Sequence, residues 1–154
     1  MRRIIKNFAP ALPAIAAFLL LAPWLCLKVD QRLGLAFSGH LLGLIPLVAG
    51  STVGVWTVLL FASVGDGSPN PLIPPRHLVR QGPYRFSRNP MMVGGWLAGI
   101  GLGLVIGSPV YLAFCLFVML AGGTYVVYIE EPRLHKRFGA PYADYCARTP
   151  RWIG

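Results

Sequence analysis

The stretch "NPMMVGGWLAGIGLGLVIGSPVYLAFCLFVMLAGGTYVVYI", residues 89–129, carries no charged side chain and decides the fold class. An α-helix rises about 1.5 Å per residue and the hydrocarbon core of a bilayer is about 30 Å thick, so one crossing takes roughly 20 residues. The stretch is long enough for two crossings. At its centre, Gly107 is a helix-stop signal and Pro109 suits the first turn of a new helix. We therefore predict transmembrane helices over residues 91–106 and 110–129.

Two more uncharged stretches lie upstream, at residues 7–27 and 33–65. Each supplies one span, which we place at residues 8–27 and 41–64. The 154-residue chain is 55% hydrophobic and 12% charged, with a mean hydropathy of +0.60, values outside the range of ordinary soluble domains. The predicted fold is all-α: a single polytopic integral membrane domain over residues 1–154, with about four transmembrane helices.

The basic residues are distributed unevenly around these spans. Of the 14 lysines and arginines, Lys28 and Arg32 fall on one side of a four-span arrangement, and the others fall on the opposite side. The richer side is expected to be cytoplasmic, which places both termini there and the protein in a bacterial inner (cytoplasmic) membrane. Because the basic residues flank spans and no nucleic-acid motif is present, the net charge of +9 indicates contact with anionic lipid headgroups, and no nucleic-acid partner is expected.

The cysteines and histidines show no metal-ligand spacing. The three cysteines are far apart, without a C-x-x-C pair, and the three histidines form no H-E-x-x-H motif. We predict no metal site.

The polar residues collect beside the third and fourth spans. Residues 65–90 form one long predicted cytoplasmic loop, whose four prolines at 69–75 favour a stiff, extended path along the membrane surface. The loop is either functional or a plain linker. Glu130 and Glu131, the only glutamates of the chain, follow the fourth span. Adjacent carboxylates near hydrocarbon need cationic partners or a polar cavity, unless both are simply solvated.

Glycines recur every four residues along the third span, at Gly95, Gly99, Gly103 and Gly107, and Gly101 adds to them. Such a stripe lets another helix or a flat ligand approach closely. No strand–turn–helix context surrounds these glycines, which argues against a soluble dinucleotide fold.

The tail is predicted to form a short interfacial helix on the cytoplasmic face, because Gly139 and Pro141 read as a helix stop followed by a helix start. Tyr142 and Tyr145 lie on one face of that helix. They are either aromatic anchors at headgroup level or part of a lid over a site.

The order of motifs is more specific than any one of them: "HLV", "GPY", "RNP", a glycine-bearing span, a second span, E-E-x-x-L, F-G-x-x-Y-x-x-Y and "PRW". Over residues 76–153 this order resembles the isoprenylcysteine carboxyl methyltransferase and phospholipid N-methyltransferase superfamily of integral membrane methyltransferases. The resemblance implies an enzyme that binds S-adenosylmethionine. It further implies methyl transfer to a lipophilic acceptor, namely an isoprenylcysteine-type carboxylate, a phospholipid amine or a thiol.

The resemblance also implies site residues. Glu131, which the resemblance places beside Glu130, is a candidate base. The charge of the cofactor adds Arg88, or a basic neighbour, as a partner for its carboxylate, and Glu131 and Arg88 are the expected catalytic residues. The expected cofactor-binding residues are Arg76, His77, Leu78, Val79, Tyr84, Asn89, Pro90, Met91, Met92, Gly99, Gly101 and Glu130.

Two positions depart from the family pattern. Asn89 stands where the family often has histidine, so a titrating role is lost there, although hydrogen bonding is kept. Met92 stands where the family often has tyrosine, which removes one hydroxyl contact. Two other functions stay open: a non-catalytic four-helix membrane scaffold of the same architecture, and a nicotinamide-dependent membrane reductase.

Overall fold

The computed structural model describes residues 20–64 and 77–153, and every regular element within these residues is helical. Helix α1 spans Ala22–Leu33, α2 spans Leu44–Ser63, α3 spans Pro90–Ile106 and α4 spans Pro109–Tyr125. A π turn, Val126–Glu130, leads directly into α5, Glu131–Phe138, and α6 covers Ala140–Arg148. Short 3-10 turns, Leu41–Gly43 and Gly82–Arg85, lie before α2 and α3.

The predicted break between the third and fourth spans is confirmed. Gly107 ends α3 in the left-handed region, with φ of 67°, a conformation that other residues adopt only at a cost. The Ser108 hydroxyl then accepts a hydrogen bond from the Tyr111 N–H at 3.0 Å and caps α4, and Pro109 occupies the first turn. The turn therefore forms at the residues where the local glycine and proline signals predict it.

Two helices continue beyond the residues predicted to cross the membrane. Helix α1 continues past residue 27 to Leu33 and ends at Gly34, which has φ of 66°. The helix of the fourth span continues past residue 129, through the π turn, to Phe138. The π turn ends at Glu130, two residues before Pro132, which lacks the backbone N–H that a regular helix interior uses. The bounds of the membrane-crossing segments themselves stay predictions.

Helices α2 and α3 pack with their backbones in contact. A Cβ added to Gly101 would lie 2.7 Å from the Gly43 carbonyl oxygen, and one added to Gly94 would lie 2.8 Å from the Gly50 carbonyl oxygen. Glycine at these positions is what allows the close approach.

Helices α3 and α4 are in contact near the Gly107 turn. A Cβ on Gly103 would lie 2.6 Å from Leu112, and one on Gly99 would lie 3.0 Å from the Cys115 sulfur. Nearer the start of α3, a Cβ on Gly95 would meet nothing within 4 Å. The glycine stripe therefore serves helix packing at several positions, and Gly95 faces open space.

The helices define two ends of the molecule. At the Asp30 end, where α3 finishes and α4 begins, Asp30 is fully buried and accepts hydrogen bonds from the Ser108 hydroxyl and, at 3.2 Å, from the Val110 N–H. The backbone of residues 35–40 closes this end, with Phe37 N–H donating to Gly107 O at 3.1 Å. At the opposite end, called here the arginine end, α3 begins and α4 leads into α5.

Within the described residues, two helices are long and apolar enough to cross a membrane, Leu41–Leu60 and Pro109–Phe138, with mean hydropathies of 1.8 and 2.1. Only 17% and 11% of the residues in their apolar windows are buried inside the protein, unlike the core helices of a soluble domain. Pro90–Ile106 is apolar but shorter, with 17 residues. Most of the predicted first span, residues 8–27, lies outside the described residues, so the count of four spans stays a prediction.

Candidate functional site

A three-charge cluster forms at the arginine end around Glu131. Its Oε1 lies 2.9 Å from Arg88 Nη1, and its two carboxylate oxygens accept bonds of 2.9 Å from Arg151 Nε and Nη2. The Glu131 side chain is 11% exposed, whereas those of Arg88 and Arg151 are 14% and 37% exposed. The expectation that a glutamate here needs cationic partners is confirmed for Glu131. A bidentate arginine–carboxylate pair of this kind fixes orientation as well as charge.

Three separate segments supply the cluster. Arg88 lies in the turn just before α3, Glu131 begins α5, and Arg151 belongs to the C-terminal segment, residues 149–153, that follows α6. The guanidinium of Arg88 also donates to Cys146 Sγ at 3.0 Å, which ties the cluster to α6. The site is therefore a product of the tertiary fold.

Asn89 joins the turn before α3 to the C-terminal segment. It is the N-cap residue of α3, and its backbone N–H donates to Ser87 Oγ at 3.0 Å. Its side-chain Nδ2 donates to the Arg151 carbonyl oxygen at 3.1 Å. The contact made at this position is thus an amide donation, which needs no titrating group.

Buried tyrosines close the cluster from the α6 side. The Tyr145 hydroxyl donates to the Tyr84 carbonyl oxygen at 2.7 Å, and both rings are buried. The Arg80 guanidinium lies 5.8 Å from the centre of the Tyr145 ring and donates to the Pro141 carbonyl. Burial raises the pKa of Tyr84, with smaller contributions from Tyr145 and from the charge of Glu130. The segment before α3 therefore packs against α6. A short helix is present where the sequence of the tail predicts one.

The tyrosines of α6 are not the headgroup anchors that the sequence allowed. Tyr142 and Tyr145 are both buried, and Tyr142 packs edge-on against the His135 ring at 4.7 Å between centroids. They cover the protein's own polar cluster, because a hydroxyl that finds a partner inside can be buried without penalty. Whether α6 lies at the membrane interface stays a prediction.

The fold brings several of the predicted site residues together. Those at the arginine end include Arg88 and Glu131, with Val79 and Tyr84 buried and Asn89 and Glu130 half-buried beside them. Leu78, Pro90 and Met91 adjoin this group along the chain, whereas His77 is exposed. Arg76 lies outside the described residues.

Three of the predicted cofactor-binding residues, Met92, Gly99 and Gly101, lie against neighbouring helices. Met92 reaches α4, where a Cβ on Gly122 would lie 2.5 Å from its Cε. Gly99 is about 15 Å further along α3 than Asn89 at 1.5 Å per residue, and Gly101 is further still. Close packing explains why these two positions are glycine, since Gly99 lies against α4 and Gly101 lies against α2. A cofactor contact at either glycine stays a prediction.

The sequence does not predict four residues of the site: Ser87, Cys146, Arg151 and Trp152. Tyr145 is indicated only through the lid alternative, and Arg151 only as a basic residue beside the membrane. The available signal is the "PRW" motif, which has a place in the motif order but no predicted partner. In the structure the Trp152 ring lies 4.6 Å from that of Trp96, and a Cβ on Gly123 would lie 3.7 Å from it. The motif thus packs between α3 and α4.

Two polar groups at the arginine end remain available. Arg88 Nε is buried and has no hydrogen-bond partner within residues 20–64 and 77–153. Glu130 is half-buried, and in the same described ranges no basic side chain forms an ion pair with it. Among the described residues, one guanidinium nitrogen and one carboxylate are therefore without a partner beside the neutralised Glu131. No group of three histidine, cysteine or acidic side chains in the described part of the chain could hold a metal ion.

Comparisons with known proteins agree with this architecture. The sequence profile of the phospholipid methyltransferase family matches residues 38–141, more than half of the chain, so the chain belongs to this family. Among solved structures, it is similar to the eukaryotic intramembrane Ras methyltransferase ICMT (isoprenylcysteine carboxyl methyltransferase), with a TM-score of 0.65 and 20% identity. That match covers 92% of this chain and 52% of the other, so this chain spans about half the length of that protein.

No curated protein sequence matches the chain. The family and the fold are those of integral membrane proteins, and the predicted superfamily is confirmed.

Proposed function

We propose that this protein is an S-adenosylmethionine-dependent membrane methyltransferase acting on a lipophilic acceptor. The observation that carries the proposal is the Arg88–Glu131–Arg151 cluster, placed where two apolar helices meet the polar segments of a phospholipid methyltransferase family member. When bound, the cofactor would supply an activated methyl group on a sulfonium.

Two groups at the arginine end that have no partner within residues 20–64 and 77–153 fit such a cofactor. S-adenosylmethionine carries a carboxylate, an ammonium and a sulfonium, together with hydroxyls and a flat adenine. Arg88 Nε is a buried donor suited to the carboxylate, and Glu130 is a half-buried acceptor suited to a cation or a hydroxyl pair. Buried Val79 and Tyr84 provide apolar surface beside them.

The geometry gives Glu131 an orienting role in this proposal. Both of its oxygens already accept hydrogen bonds from guanidinium groups, so the carboxylate is held in place by the two arginines. Glu131 is thus suited to hold Arg88 and Arg151 in place and poorly suited to act as a base. This favours an acceptor that needs no deprotonation in the site, a carboxylate or a thiolate, over a phospholipid ammonium.

Cofactor binding is tested with S-adenosylhomocysteine, titrated into the detergent-purified protein in a calorimeter. Binding is expected, and Glu130→Gln is expected to weaken it by about tenfold, the effect of one charged hydrogen bond. Asp144→Asn is the matched control, because Asp144 is an exposed acid on α6. Absence of heat and of competition at millimolar ligand would rule out the proposal, and competition by a reduced nicotinamide would instead indicate the reductase.

The acceptor is identified by incubating the protein with methyl-labelled cofactor and host membranes. Label is then measured in separated protein, lipid and volatile fractions. Base-labile label on protein or in a small lipid ester indicates a carboxylate, and volatile label indicates a thiol. Label confined to a phospholipid amine would contradict the preference inferred from Glu131.

A further inference from the structure

The C-terminal segment, residues 149–153, is bonded through its backbone to the turn before α3. The Pro150 carbonyl oxygen accepts a bond of 2.9 Å from the Arg88 N–H. The next carbonyl oxygen, that of Arg151, accepts from Asn89 Nδ2 at 3.1 Å and from Ser87 Oγ at 3.3 Å. Two consecutive carbonyl groups of the segment are therefore fixed against the residues that open α3.

The side chains of the same segment reach the other helices of the arginine end. Arg151 donates two hydrogen bonds of 2.9 Å to Glu131 at the start of α5. Its neighbour Trp152 packs against Trp96 of α3, with the two rings tilted by 49°, and lies beside Gly123 of α4. One short segment thus contacts α3, α4 and α5. Arg88 Nε and Glu130, which have no partner within the described residues, lie at the same end of the molecule.

Within this set of contacts, Arg151 determines the orientation of Glu131. Arg88 contacts Glu131 through one nitrogen only, and that nitrogen also donates to Cys146. The planar bidentate contact of Arg151 defines the rotation of the carboxylate, and the carboxylate in turn holds the Arg88 guanidinium through Nη1. Without Arg151, Oε2 of a largely buried carboxylate loses its partner.

We propose that Arg151 is a positioning residue of the methyl-transfer site and that residues 149–153 act as a latch holding the arginine end closed. Arg151 orients Glu131, and Glu131 holds Arg88 with Nε directed to the cofactor carboxylate. This inference rests on the proposed function for its ligand, but the latch itself is a structural statement and is measured separately.

The test compares Arg151→Gln with Arg148→Gln, which removes an exposed arginine from the last turn of α6. The first measurement is hydrogen exchange at the Arg88 amide in the ligand-free protein, since that N–H is bonded to the latch. The second is the dissociation constant of S-adenosylhomocysteine in the same preparations. Arg151→Gln is expected to speed exchange and to weaken binding by about tenfold, and Arg148→Gln to change neither.

Arg151→Lys keeps the charge but not the bidentate geometry, so it is expected to fall between the wild type and Arg151→Gln in both measurements. It also serves if Arg151→Gln does not accumulate in the membrane. Unchanged exchange at the Arg88 amide in both Arg151 variants would overturn the latch. Faster exchange with unchanged affinity would overturn the positioning role. If the wild type binds no S-adenosylhomocysteine, the proposed function fails, and faster exchange in Arg151→Gln alone would still support the latch.

Discussion

Two buried carboxylates lie at opposite ends of the helix bundle, and they are satisfied in different ways. Asp30 is completely buried and is held by uncharged donors, the Ser108 hydroxyl and the Val110 N–H at the start of α4. Glu131 keeps some exposure and is held by two guanidinium groups on long side chains. A carboxylate at a helix N-terminus is stabilised by the fixed backbone dipoles, whereas arginine side chains can rearrange around a ligand. Burial alone therefore does not distinguish a structural carboxylate from a functional one, but the partners do.

The largest effect is expected from Glu131→Gln. The change leaves two arginines in a partly buried site without their counter-charge, and breaking such a cluster costs about 3 kcal/mol of unfolding free energy. Binding of S-adenosylhomocysteine should be lost as well, because Arg88 is no longer oriented. Unfolding in detergent and calorimetry measure the two quantities, with Asp144→Asn as control. Wild-type stability in the variant would show that the cluster contributes nothing to the fold.

The next largest effect is expected at the backbone contact between α2 and α3. Gly101→Ala places a methyl group against the backbone of α2 and is expected to cost about 2 to 3 kcal/mol, the usual range for overpacking. Gly95→Ala adds the same methyl group in open space and is expected to be neutral or slightly stabilising. Thermal unfolding of the two variants side by side gives the comparison. Equal midpoints would show that α2 and α3 are not in direct backbone contact.

A smaller loss is expected from Asp30→Ala. It leaves the Ser108 hydroxyl and the Val110 N–H without their acceptor, at about 2 kcal/mol of unfolding free energy. Because the Asp30 end is remote from the arginine end, the affinity of the folded protein for S-adenosylhomocysteine should not change. Asp30→Asn, which keeps an acceptor oxygen, should lose less. A weakened affinity in either variant would remove the distinction drawn between the two carboxylates.

The smallest effect, absent at neutral pH, is alkaline sensitivity of the arginine end. Burial raises the pKa of Tyr84 and Tyr145 above the ordinary value of 10.0. A raised pKa in the folded state contributes stability that is present below the unfolded pKa and is lost as pH rises through the folded pKa. Unfolding midpoints should therefore fall when the pH is raised from neutral to about pH 11.

The matched variants for this prediction are Tyr145→Phe and Tyr128→Phe. Removing the buried phenol of Tyr145 should reduce the alkaline loss, whereas removing that of Tyr128, which is 75% exposed, should not. Identical pH profiles for the two variants would assign the loss to other groups.

Sequence patterns were informative where the deciding signal is local. Gly107 and Pro109 gave the turn between α3 and α4, and Gly139 and Pro141 gave the start of α6, because both signals act on the backbone of the residue that carries them. An uncharged run, in contrast, indicates the extent of an apolar span and not the end of a helix. The helices of the first and fourth spans continue past residues 27 and 129, because lysine, arginine and glutamate are good helix formers.

The contacts that build the site were not predictable in this way, since each joins positions far apart in the chain. Arg151 lies 20 residues from Glu131, and Ser108 lies 78 residues from Asp30. Many basic residues follow the fourth span, and nothing in their spacing selects Arg151 as the one that turns back. The resemblance indicated Glu131 and the charge of the cofactor suggested Arg88, but neither indicated their common partner.

The sequence by itself determined the apolar spans, the uneven charge, the α3–α4 turn and the family, because these depend on composition, local backbone preference and motif order. Only the tertiary structure decided that the C-terminal segment bonds to the turn before α3, that Gly101 is a packing residue, and that Glu131 is neutralised by two arginines. Those outcomes depend on which side chains meet when helices of fixed length pack at fixed distances. That information resides in contacts between segments, not in any one segment.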